Sequence, residues 1–110
     1  MSSLVRYCVK QDVTVTNSAA TCEAVLTKNF AGAGFINPSA GSNTSITFWV
    51  AEDENGTFRA LYDSTNTAVA YATVANSRAY PVPDEVFGFG AFKMVGNDAG
   101  PHTLVVSLKS

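Results

Sequence analysis

Residues Ser45 to Tyr62, SITFWVAEDENGTFRALY, decide the fold class of this 110-residue chain. Ile46, Phe48 and Val50 alternate with Thr47, Trp49 and Ala51, so both faces of this strand are largely apolar, as suits a strand inside a sandwich. Asn55-Gly56 then supplies two residues that tolerate positive φ. The pair predicts a type I′ hairpin, with Thr57 to Tyr62 carrying the chain back.

The same period-2 rhythm recurs on either side. Val5, Tyr7 and Val9 alternate with Arg6 and Lys10, and the pattern resumes at Val13-Thr14-Val15-Thr16. Residues 1–16 are therefore expected to form one bent strand, two short strands or an arm, and 17–110 a single sandwich domain. An arm rich in Val and Thr could pair with a neighbouring subunit's sheet edge as easily as with its own. For Thr21 to Lys28 a strand is favoured over a helix across Ala19 to Thr27, because threonines and flanking polar residues outweigh Ala, Glu and Leu. Asn37 to Asn43 has loop composition. Ala68 to Val74, Phe89 to Val95 and Thr103 to Leu108 are further strands. Tyr80-Pro81-Val82-Pro83 is extended at an edge, since its prolines donate no ladder hydrogen bond, and Asp84 to Phe87 suits one helical turn.

Seven or eight short strands with turn signals between them predict an all-β protein, a two-sheet antiparallel β-sandwich. Phe48, Trp49, Phe58, Leu61, Tyr71, Phe92, Leu104 and Val106 are the expected core.

Composition narrows the function classes. Only 15% of residues are charged, against about 25% in an average soluble domain, which leaves a neutral surface suited to lateral protein contacts. A net charge of −2 with seven scattered basic residues argues against nucleic-acid binding. The N-terminus lacks the pattern of a secretory signal and no 18-residue apolar run occurs, so a soluble chain made in the cytosol, with no membrane contact, is expected. In that reducing compartment Cys8 and Cys22 are expected to be free thiols.

Catalytic chemistry is not expected. His102 is the sole histidine and sits after Pro101, where an exposed loop position is expected. No Gly-x-Ser-x-Gly elbow presents a nucleophile, and the two cysteines lack zinc-site spacing. Glu52, Asp53, Asn55 and Thr57 could offer oxygens to calcium, but Ser64 stands where a helix-flanked calcium loop needs its bidentate carboxylate, so a solvated turn is expected. Ala31 to Gly34 and Gly88-Phe89-Gly90 are too short to cradle phosphate and suit places where strands crowd. Phe87, Phe89 and Phe92 either cover one end of the core or expose an aromatic patch for a partner. Neither a cofactor nor a metal is expected.

Pro38, Ser45-Ile46-Thr47-Phe48, a short acidic Gly-containing turn, Phe58, Leu61-Tyr62-Asp63 and Arg78-Ala79-Tyr80 leading to Pro83 together resemble a recurrent pattern in small virion proteins of tailed bacteriophages. The resemblance covers roughly residues 20 to 108 and rests on turns and core aromatics. It implies a jelly-roll module related in shape to galactose-binding-like sandwiches, and a structural role in the virion. Most like a capsid decoration (cement) protein, the chain is then expected on the capsid surface, bound to the major capsid protein as a closed homo-oligomer such as a trimer. Contacts are expected from Leu4, Val5, Tyr7, Val9, Val13 and Val15 in the N-terminal segment, Phe35 and Ile36 near the first loop, and Phe87 and Phe89 near the second. The alternative is a carbohydrate-binding or adhesion module of a phage tail fibre or spike, with Trp49 or the tyrosines as stacking platforms. The chain lacks an evident loop face of exposed aromatics with charged partners, which counts against that alternative.

Overall fold

Nine strands and two short 3₁₀ turns carry the described part of the chain, which in this computed structural model comprises residues 8–28, 30–37, 45–72, 74, 78–98 and 102–109. The strands are β1 (Cys8–Val15), β2 (Val25–Leu26), β3 (Gly32–Asn37), β4 (Ile46–Ala51), β5 (Arg59–Ala60), β6 (Ala70–Tyr71), β7 (Arg78–Pro81), β8 (Ala91–Val95) and β9 (His102–Lys109). One four-stranded sheet has the order β1-β9-β3-β7. The five-stranded sheet has the order β2-β8-β4-β5, with β6 also paired to β4. All pairings are antiparallel.

First strand pairs with last, second with last but one, β3 with β7, and β4 with both β5 and β6. That is a long double hairpin rolled into two sheets, the jelly-roll arrangement that the resemblance implies. Rolling brings parts of three connections, residues 27–28, 52–54 and 87–90, together at one end of the sandwich.

Alternation explains the core. Register sets Phe48 opposite Met94 and Val50 opposite Phe92 on the inner face of one sheet. Phe35 lies opposite Val106, and Val13 opposite Leu104, on the inner face of the other. Phe35 and Phe48 meet edge to face with ring centroids 6.3 Å apart, and Tyr71 closes the cluster against both. Burial pushes the Tyr71 phenol pKa up, with the Tyr80 phenol adding to it, so the hydroxyl stays protonated and donates to the Pro81 carbonyl at 2.6 Å. Of the expected core, Phe48, Leu61, Phe92, Leu104 and Val106 are buried, whereas Trp49, Phe58 and Tyr71 are half-buried.

Three expectations are corrected by the tertiary structure. Asn55-Gly56 does not adopt a type I′ turn, since among the described residues only Asn66 has a positive φ, at 63°. Instead the Asp53 carboxylate accepts the Asn55 N–H at 2.8 Å and Gly56 N–H donates to the Asp53 carbonyl at 3.1 Å, a side-chain-capped turn in a longer connection. Thr21 to Lys28 is mostly irregular: the 3₁₀ turn Ala19–Thr21 precedes it and only Val25–Leu26 is strand, because this segment crosses from the β1 edge to the other sheet. His102 is not a free loop residue. It opens β9 opposite Val15, half-buried, with Nε2 2.5 Å from Asp98 Oδ2. Within the N-terminal segment β1 is a strand, one of the forms expected there; it pairs with β9 along its whole length and Gln11 reaches the Ala24 carbonyl. Residues 1–7 lie outside the described part. Among the described residues no helix is long and apolar enough to cross a membrane.

The turn at Asp63 yields a pH-dependent prediction. Its carboxylate accepts the Thr65 hydroxyl at 2.7 Å, the Thr67 N–H at 3.0 Å and the Thr65 N–H at 2.9 Å, and these bonds hold its pKa below the usual value, the hydroxyl contributing most. A carboxyl with a lower pKa folded than unfolded stabilises the fold fully above the unfolded value, near 4, and loses that contribution as pH falls through the folded value. Asp63→Asn keeps an oxygen acceptor but removes the charge. The wild type is expected to be the more stable at pH near 7, with the gap closing as pH falls below the ordinary carboxyl value, near 4. Denaturant melts of both proteins across that range check it. Because the carboxylate lies in a surface turn, added salt should shrink the gap as well.

Candidate binding surface

Pro83 leads into the 3₁₀ turn Asp84–Gly88, where Val86 is fully buried and Phe87 packs on Phe92 with ring centroids 6.4 Å apart. Phe89 N–H donates to the Val86 carbonyl at 3.2 Å, closing the turn. The next side chain then has nowhere to go but outward, and Phe89 is 41% exposed. The three neighbouring phenylalanines thus divide: Phe92 is core, Phe87 half-covers the core's end, and Phe89 faces solvent.

The backbone beneath Phe89 is held from two sides. Thr27 N–H donates to the Gly90 carbonyl at 3.1 Å and the Thr27 hydroxyl donates to the Phe89 carbonyl. Gly90 N–H donates to the Ala51 carbonyl at 3.1 Å. A Cβ at Gly90 would overlap the Glu52 carbonyl oxygen and lie 3.0 Å from the carbon bonded to it. Glycine is thus required where β8 passes under the acidic turn. Gly88 has open space, so the crowding expected of this glycine pair belongs to Gly90 alone.

Two adjoining clefts result. One, of about 490 Å³, lies between Leu26, Phe87 and Phe89 on one side and Glu52, Asp53 and Glu54 on the other, with Lys28 at its edge. The second, of about 290 Å³, continues past Glu52 and Phe89 to Tyr62 and Arg59. Tyr62 is 54% and Leu26 44% exposed.

Of the ten expected contact residues, Phe87 and Phe89 lie in this surface. Val13, Val15 and Phe35 are at most 1% exposed and hold the two sheets together, so they offer a partner nothing without unfolding. Val9 is exposed but shares the inward face of β1 with Val13 and Val15, beyond the end of the core. Ile36 is exposed on the outer face of the four-stranded sheet, opposite Val105 and Ala79. Leu4, Val5 and Tyr7 lie outside the described residues. Leu26 and Tyr62 were missed because each is an ordinary apolar residue of a short strand or bridge; their outward position is their only signal.

Other polar groups are locally engaged. Cys22 is buried, its sulfur accepting the Thr16 N–H at 3.3 Å and donating to the Ser18 carbonyl at 3.2 Å, while Cys8 is an exposed free thiol beside Ser107. Lys93 donates to the Ala19 carbonyl at 2.8 Å, with its ammonium 4.5 Å from the centre of the Phe58 ring. Trp49 sits opposite Lys93 on the outer face of the five-stranded sheet. Among the described residues no group of three or more His, Cys, Asp or Glu side chains could hold a metal ion.

Compared with known proteins, the chain aligns end to end with the crystal structure of the SPBc2 prophage-derived protein YomS, with a TM-score of 0.63 and 16% sequence identity, over 100% of this chain and 99% of that one. The two share a fold. No family model matches the sequence, and no curated protein matches it.

Proposed function

We propose that this protein is a non-enzymatic structural component of a phage particle, a decoration (cement) protein that binds the assembled head on its outer surface. The observation that supports it most is the end-to-end likeness of fold to a prophage-derived protein. The exposed apolar side chains gathered at one end of a weakly charged module agree with it, as a part that works by contact needs such a surface. Its partner is the major capsid protein, and a closed homo-oligomer, such as a trimer, fits a lattice site of the same symmetry.

The mechanism is mass action. A subunit that binds the assembled shell and not its free components stabilises the shell, by about 2.7 kcal/mol per site at a free concentration 100 times Kd. Adding the purified protein to heads that lack it is expected to saturate their surface and raise their disruption temperature, read by light scattering and by release of packaged DNA. Absence of binding to assembled heads would overturn the proposal.

A carbohydrate-binding module of a tail fibre or spike is the second reading. It is favoured by the half-buried Trp49 on an outer sheet face. Glycan binding by the wild type, lost in Trp49→Ala, would support it in place of the first.

A further inference from the structure

Five large apolar side chains are exposed among the described residues, and three of them, Leu26, Tyr62 and Phe89, border the two adjoining clefts. The other two, Val9 and Ile36, stand apart from the clefts. A surface that merely tolerates apolar residues would scatter them. Here they flank a groove whose floor is tied down by the Thr27, Ala51 and Val86 hydrogen bonds to residues 89 and 90, so little ordering is left to be paid on binding.

Among the described residues, acidic side chains outnumber basic ones around the groove, three to two, and the excess lies in the larger cleft. Glu52, Asp53 and Glu54 line the larger cleft against Lys28 alone. In the smaller cleft Glu52 faces Arg59. An acidic partner segment would meet three carboxylates, and a purely apolar one would leave them uncompensated at the rim. A segment with an apolar side chain flanked by lysine or arginine satisfies both the aromatic floor and the acidic lip.

We infer that the cleft centred on Phe89 is where this protein grips the phage shell, and that the shell segment it takes presents an apolar side chain flanked by basic residues. The inference rests on the shell-binding function proposed above. Phe89 is the anchor, buried on docking beside Leu26 and Phe87. The carboxylates of 52–54 select the partner and speed its approach.

The test is titration of purified full-length protein onto heads that lack it, at about 50 mM and about 300 mM salt, a range over which surface charges become screened. Wild type, Phe89→Ser, Glu54→Lys and a control on the outer face of the four-stranded sheet, the exposed Thr103→Ala, are compared. Phe89→Ser is expected to bind at least ~30-fold more weakly, as an interface anchor does. Glu54→Lys should bind roughly tenfold more weakly at low salt and lose most of the salt dependence. Thr103→Ala should stay within about twofold of wild type, as residues outside an interface do. Thermal melts check that Phe89→Ser is folded; if it is not, Glu54→Lys, in an exposed turn, decides.

Wild-type binding left unchanged by both cleft variants would overturn the site while leaving the shell-binding function standing. Tighter binding by Glu54→Lys would overturn the basic character of the partner. Self-association lost in Phe89→Ser with shell binding intact, seen by sedimentation, would assign the cleft to a second copy of this chain. No wild-type binding to heads would remove both the function and the site.

Discussion

Gly90→Ala is expected to cost about 3 kcal/mol of stability, within the range for overpacking plus backbone displacement, and so to lower Tm by ~10 to 20 °C in a domain of this size. The added methyl has no free space. It would overlap the Glu52 carbonyl oxygen and stand 3.3 Å from Asp53 Cα, and both are backbone atoms that no rotamer change can clear. Relief requires β8 and the 52–56 turn to separate, which stretches the Gly90 N–H to Ala51 bond and the two Thr27 bonds. Gly88→Ala, two residues earlier with nothing within 4 Å of the added carbon, is the control and should fall within about 1 kcal/mol of wild type. Melting both variants by circular dichroism decides it. Equal stabilities would mean the β8 crossing is not as close as described.

Phe48→Ala and Trp49→Ala are adjacent truncations with opposite environments. Phe48 is wholly buried between the sheets, against Phe35, Tyr71 and Phe92, so its removal leaves a cavity that the surrounding rings cannot fill. A loss of ~3 to 5 kcal/mol is expected, a large share of a typical domain's stability of 5 to 15 kcal/mol. Trp49 is larger, yet its side chain lies half-buried on the outer face beside Lys93, where solvent replaces it. Its truncation should cost about 1 to 2 kcal/mol, as partial apolar burial does. Urea midpoints measured for both test the inward and outward assignment of β4. A costlier Trp49→Ala would mean that the outer face of this sheet is covered.

Much of the architecture is legible along the chain because its causes are local. Side chains in a strand alternate between faces, so Ile46, Phe48 and Val50 declare a buried face without reference to anything distant. Proline has no N–H to donate, so Tyr80-Pro81 reads as an edge, and β7 is an edge strand. Turn type is less legible. Asn55-Gly56 permits positive φ but does not require it, and the Asp53 carboxylate, by capping the Asn55 N–H, stabilises another geometry. The positive φ falls instead at Asn66, inside the loop that the Asp63 carboxylate organises. Thr21 to Lys28 departs from the expected strand for a related reason: its conformation is set by where the chain must cross between sheets, and only Val25–Leu26 pairs.

Residue order alone settled the all-β class, the two layers, most of the core and the bland, weakly charged exterior, since alternation, turn chemistry and composition are properties of neighbouring residues. Which of Phe87, Phe89 and Phe92 turns outward, and that Leu26, Tyr62 and the 52–54 carboxylates join Phe89 around one groove, was decided by the rolled-up pairing of distant strands. Thr27 and Phe89 meet across 62 positions of chain. Such a meeting depends on the free energy of the whole packed sandwich, and no short stretch of sequence carries it.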